Sequence, residues 1–144
     1  CILQPEPLLI RADSRRIWRV LENLYVNVCK YAMPGTRVYV DAIKKDGKIQ
    51  LSIKNISENP LNFQADELTE RFIRGDVSRS TEGSGLGLSI AKNLTVLQHG
   101  SFNIYLDGDL FKVTITFDEA VKEKKPMPPM IVPEAVQEEA QQDA

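Results

Sequence analysis

Three glycines stand on alternate positions in Gly83-Ser84-Gly85-Leu86-Gly87-Leu88-Ser89-Ile90-Ala91-Lys92, and the run leads straight into a helical pattern. Glycine removes the Cβ that keeps an anion away from the backbone. A helix start offers unpaired N–H groups at its positive dipole end, so the stretch suits a phosphate group. Alone it is also compatible with a plain loop before a core helix. The dinucleotide fingerprint G-x-G-x-x-G fails because Leu88 stands where it needs glycine, and no G-x-x-x-x-G-K-[ST] loop is present.

A second set is Asn23, Asn27, Lys30 and Tyr31, at offsets of four, three and one. On a helix these share a face beside the apolar stripe, at the rim of the core. Asparagine is a poor helix former and costly when buried without a partner. Its carboxamide oxygen can ligate a hard cation such as Mg²⁺, and Lys30 one turn on can meet phosphates that the cation also touches. Tyr31 offers an aromatic face. A solvated polar strip with a core tyrosine is the competing reading of these four. Arg71, Arg74 and Arg79 lie in the long connection from Ile56 to Glu82 that runs into the glycines. Connections of that length are usually functional or mobile, and this one reads as a lid that closes cations over phosphates, with one short helix expected around 65–72.

The elements that must position these groups follow from periodicity and punctuation. A first helix is expected from about Ser14 to Met33, capped by Asp13 or Ser14, ended by Pro34-Gly35, and packed through Ile17, Leu21, Leu24 and Val28. Before it, Leu8-Leu9-Ile10 is a short apolar run. Strands are expected over Thr36–Lys44 and Lys48–Lys54 around an Asp46-Gly47 turn. Alternation puts Asn55 on the same inward face as Ile53, where it needs a partner: an adenine amino group or ring nitrogen, or a neighbouring backbone group. The glycine-led helix is expected to pack through Leu86, Ile90, Leu94 and Leu97, with Gly100 as its stop and His99 as a C-terminal cap. Phe102-Ile104-Leu106 and Phe111-Val113-Ile115-Phe117 complete a sheet around a turn at Asp107-Gly108.

Composition bounds the rest. A chain of 144 residues, 42% hydrophobic, supports one domain with a real core. A net charge of −2 gives no overall pull toward nucleic acid or an anionic membrane. Cys1 and Cys29 lack metal-ligand spacing and point to a reduced cytosolic setting. No apolar run approaches the roughly 20 residues that span a bilayer. The chain starts abruptly, as expected of a piece of something longer. Its domain is expected over 1–118, with 119–144 a Pro-, Glu- and Gln-rich tail or linker.

Taken together, Asn23-Leu24-Tyr25-Val26-Asn27-Val28-Cys29-Lys30-Tyr31, Phe72-Ile73-Arg74-Gly75-Asp76-Val77-Ser78-Arg79 and Gly83-Ser84-Gly85-Leu86-Gly87-Leu88 resemble the N, F and second G boxes of bacterial sensor histidine kinases. Those kinases use the Bergerat ATP fold shared with type II topoisomerases and the MutL proteins. The resemblance covers about Leu8 to Phe117. It implies an α/β sandwich (α+β, two layers) in which a mixed sheet backs about three helices, with ATP and Mg²⁺ held between helices and lid. Asn27 then matches the Mg²⁺ ligand and Asn23 a supporting metal and catalytic position. Lys30 matches the phosphate-contacting lysine, and Tyr31 the wall beside adenine. Gly83, Gly85, Leu86 and Gly87 fall in the turn that cradles the triphosphate, and Arg74 and Arg79 match lid residues more weakly.

One box departs from the family. Where D-x-G-x-G is usual, the chain reads Asn55-Ile56-Ser57-Glu58-Asn59. Asn55 can still accept from the adenine amino group, without charge, at a loss of about 1–2 kcal/mol. The resemblance implies transfer of the ATP γ-phosphoryl group to a histidine on a separate dimerisation domain of the same parent, and onward to a response regulator. No phosphoacceptor histidine is recognisable here, since His99 sits in the wrong context. The implied setting is the cytoplasmic side of an inner-membrane sensor, with no nucleic-acid partner and no direct membrane contact. The altered box favours a regulatory, pseudokinase-like nucleotide module as the alternative, and an anti-sigma-type serine kinase stands behind it.

Overall fold

The computed structural model describes residues 2–3, 6–61 and 86–121. Its elements are β1 (Ile2–Leu3), α1 (Ser14–Tyr31), β2 (Tyr39–Lys45), β3 (Lys48–Ile56), α2 (Gly87–Leu97), β4 (Ser101–Asp107) and β5 (Leu110–Asp118). The strands form one sheet in the order β1-β2-β3-β5-β4. β1 runs parallel to β2 and the remaining neighbours are antiparallel, so the sheet is mixed. Both helices among the described residues pack on one face of it, giving two layers. The short helix expected around 65–72 lies outside the described residues.

Alternation decides which face is covered. In β3, Ile49, Ile53 and Asn55 are buried, and in β5 Phe111, Val113, Ile115 and Phe117 are buried. Val20 and Leu24 of α1 and Leu88 and Ala91 of α2 close over them. Removing each large apolar side chain from water contributes about 1.5–3 kcal/mol, so this layer supplies most of the cohesion. The opposite face is polar: Lys54 pairs with Asp41 at 3.4 Å and lies over the Tyr39 ring, 5.6 Å from its centre.

The first helix begins where the cap signal places it. Asp13 Oδ1 accepts from the backbone N–H groups of Arg15 and Arg16 at 2.9 and 3.0 Å, occupying donors that the first turn cannot satisfy. The helix ends at Tyr31, two residues before the expected Met33, because Ala32 turns extended and forms a bridge with Ser57. The Asp46-Gly47 turn has φ of 52° and 72°, the pair of positive values a type I′ hairpin requires. In the second hairpin Asp107 pairs with Leu110, so the two-residue loop is Gly108-Asp109, one position later than expected.

Two expectations about α2 are corrected. Leu86 is 38% and Leu97 59% exposed, while the buried positions are Leu88, Ser89, Ala91 and Thr95. The buried face combines Leu88 with the smaller Ser89, Ala91 and Thr95, while Ile90 and Leu94 are half-buried. Of the expected stripe, Leu94 packs against the core, whereas Leu86 and Leu97 do not. At its end, His99 takes the left-handed conformation at φ 65°, while Gly100 N–H donates to Thr95 O at 3.0 Å and His99 N–H to Val96 O at 3.0 Å. That is a Schellman motif with histidine at the position usually held by glycine. Gly100 is required for a different reason: a Cβ there would stand 2.6 Å from Phe117 Cε1 and 2.9 Å from Thr95 Cγ2.

Leu8-Leu9-Ile10 makes no strand, but Ile10 bridges Glu119 and Leu9 O accepts from Ala120 N–H at 2.8 Å. Lys44 Nζ meets Glu119 at 2.9 Å, so the chain stays tied to the sheet just beyond Asp118. No helix among the described residues is long and apolar enough to cross a membrane.

Candidate functional site

The end of α1 is stitched to the end of β3. Met33 N–H donates to Ile56 O at 2.8 Å, Glu58 N–H to Tyr31 O at 2.9 Å, and Ser57 N–H to Asp109 O at 2.8 Å. These bonds fix the last turn of α1, which carries Asn27, Lys30 and Tyr31, beside the strand end that carries Asn55. Ser57, where the family's pattern has glycine, is buried and held by the same ladder.

Asn55 is 2% exposed. Its Nδ2 donates to Ile56 O at a long 3.3 Å, and its Oδ1 has no partner among the described residues. An acceptor buried without a donor costs about 1–3 kcal/mol. The backbone alternative left open by the sequence therefore satisfies only the amide nitrogen; the oxygen is left to a donor from elsewhere.

Across α1, Asn23 Nδ2 donates to Arg19 O at 2.9 Å. That bond fixes the carboxamide so that Oδ1 points away from its own helix, toward the start of α2. A Cβ on Gly87 would lie 3.4 Å from that oxygen. The first residue of α2 thus stands directly against Asn23, with room at 87 for little beyond a Cβ at contact distance. Asn27, one turn on, is half-buried, whereas Lys30 is exposed and Tyr31 is 40% exposed. Lys30 forms no ion pair among the described residues.

Leu86 precedes α2 as its cap residue, and no side chain caps the helix. Ser89, which sequence reasoning passed over, donates from Oγ to Leu86 O at 2.8 Å and is buried. It braces the first turn, and the signal for it was a small polar residue inside an apolar run. Gly83, Gly85, Arg74 and Arg79 lie outside the described residues, as does Arg71. His99 is exposed at the far end of α2 from Gly87, as its place in the helix requires.

A buried acceptor at a strand end, carboxamides on one helix and an uncapped glycine start on the next belong to the helix-covered side of a mixed sheet, in a two-layer α/β sandwich. The model of the histidine kinase-, DNA gyrase B- and HSP90-like ATPases matches residues 12–121. The chain belongs to this ATPase family, as an ATP-binding catalytic domain of the sensor histidine kinase type.

The sensor histidine kinase HprS of Escherichia coli K12 is 34% identical over 108 residues, 74% of this chain and 24% of that protein. The probable sensor histidine kinase TcrY of Mycobacterium tuberculosis is 34% identical over 105 residues, 71% of this chain and 22% of that protein. The chain therefore spans about a quarter of the length of such relatives. Among solved structures, the mycobacterial sensor histidine kinase MprB superposes with a TM-score of 0.65 at 25% identity, over 81% of this chain and 79% of that one. The catalytic domain of the histidine kinase ThkA gives 0.66 at 23% identity, over 81% and 75%, a likeness of fold.

Proposed function

We propose that this domain binds ATP with Mg²⁺ and transfers the γ-phosphoryl group to a histidine on a dimerisation domain of its parent protein, from which a response regulator takes it. The observation that carries the reading is the Oδ1 of Asn55, without a partner among the described residues and buried where the end of α1 is bonded to the end of β3. An adenine amino group is a donor of the right kind for that oxygen. Tyr31 walls the same end of α1.

The residues present also fit the metal. Hard cations take oxygen ligands, and Asn23 presents a carboxamide oxygen whose amide half is already satisfied. Asn27, one helical turn on, is assigned the direct Mg²⁺ contact, with Asn23 supporting it. Bound Mg²⁺ supplies charge neutralisation for the phosphates. Lys30, the backbone amides of Leu86 and Gly87, and Gly83, Gly85, Arg74 and Arg79 of the connecting segment orient them. The chemistry asked of the protein is positioning and electrostatic stabilisation.

In this reading the domain works on the cytoplasmic side of a membrane-anchored sensor, and the segment after Asp118 is a tail or linker. The replaced Asn55, Ser57 and Asn59 support a second reading, a module that binds nucleotide without transferring it. Titration of the chain with a non-hydrolysable ATP analogue, with and without Mg²⁺, tests binding: Mg²⁺-dependent saturation is expected, and no saturation under either condition removes both readings. Adding the histidine-bearing domain with γ-labelled ATP separates them, because label on the histidine is expected only of a kinase.

A further inference from the structure

Building on the nucleotide reading above, we infer that the base site accepts 6-oxopurine nucleotides as well as 6-aminopurine nucleotides, because Asn55 is a reversible reader of the purine 6-position. The side chain is a carboxamide with one donor end and one acceptor end. It is 2% exposed, and its acceptor end lacks a partner among the described residues, so a donor such as a base amino group would satisfy it. What holds the amide in that sense among the described residues is a single contact, Nδ2 to Ile56 O at 3.3 Å, at the long end of the hydrogen-bond range.

That contact is not needed by its acceptor. Ile56 O already receives Met33 N–H at 2.8 Å, so turning the amide over leaves no buried carbonyl unpaired. The turned amide presents Nδ2 to the site, where it donates to a 6-oxo group. The cost is Oδ1 facing Ile56 O, which keeps a modest preference for the 6-amino base. A carboxylate at this position has acceptors only. It would set two acceptors against each other at a 6-oxo group, and so would prefer the 6-amino base more strongly.

The test compares ATP, ITP and GTP as Mg²⁺ complexes by calorimetric titration of the full chain and of Asn55→Asp. ITP shares the 6-oxo group and N1–H of GTP without its 2-amino group, so it removes the 2-position from the comparison. In the unsubstituted chain ITP is expected to bind within about tenfold of ATP, the span that a rearranged hydrogen bond covers. In Asn55→Asp the gap is expected to widen to at least about a hundredfold, an unpaired buried acceptor being the penalty. Asn55→Ala, which keeps neither end, is expected to weaken ATP and ITP by the same factor. An unsubstituted chain that binds ATP and rejects ITP by more than about a hundredfold overturns the inference and leaves the nucleotide reading intact. A folded chain that binds none of the three overturns both.

Discussion

Gly87 stands against Asn23: a Cβ on the glycine would lie 3.4 Å from the asparagine Oδ1 and 3.9 Å from its Cβ and carbonyl oxygen. Two stretches separated by more than 60 residues of sequence, the last glycine of the alternate run and the first asparagine of the helical set, thereby become neighbours. The Asn23 amide is anchored on Arg19 O, so the oxygen rather than the nitrogen faces the uncapped start of α2.

Bulk at position 87 should separate these elements. Gly87→Val is expected to weaken Mg²⁺-nucleotide binding by at least about tenfold and to destabilise the fold by about 1–3 kcal/mol through overpacking against α1. Gly87→Ala, whose Cβ falls at ordinary contact distance, should lie between the two. Calorimetric titration and denaturant unfolding measure the two effects, and an unchanged affinity in Gly87→Val would show that the contact is packing alone.

Asn27→Ala removes a half-buried carboxamide without touching the core. Its expected effect is loss of the Mg²⁺-dependent part of ATP binding, with unfolding stability changed by less than about 1 kcal/mol. Titrations with and without the metal check it, and unaltered metal dependence would discard the assignment.

Asn55→Asp places a carboxyl group at a position that is only 2% exposed. Burial disfavours the charged form, so the folded-state pKa of this carboxyl should rise above its unfolded value near 3.9. The sign follows: below about pH 4 both states hold the proton and little stability is lost, whereas the loss grows as pH rises above it. A deficit of about 1–3 kcal/mol is expected at neutral pH without nucleotide. Urea unfolding of both proteins between pH 4 and 7.5 reads it directly.

The end of α2 separates two glycine roles. Gly100→Ala is expected to cost about 1–3 kcal/mol, since its Cβ meets the Phe117 ring and Thr95. His99→Gly is expected to be neutral or stabilising by up to about 1 kcal/mol, because it relieves a left-handed non-glycine residue at the cost of unfolded-state entropy. Thermal unfolding distinguishes them by opposite shifts in Tm.

The sequence by itself determined the local features, because each is governed by near neighbours. The Asp13 cap, the Asp46-Gly47 turn, the alternation that turns Asn55 inward with Ile53, and the first helix within a few residues of its end were all readable from spacing and residue type. The order of its boxes also carried the family. What only the tertiary structure decided was how distant pieces meet. Packing of α2 selected Leu88, Ala91 and Thr95 over Leu86 and Leu97 for the buried face, a choice that hydropathy alone does not make. Cross-chain bonds ended α1 at Tyr31 and brought that end beside β3. The Phe117 ring, not a backbone turn, fixed glycine at 100. Whether Asn55 would find a backbone partner for its oxygen depended on every group around it at once, and that sum exists only in the folded chain.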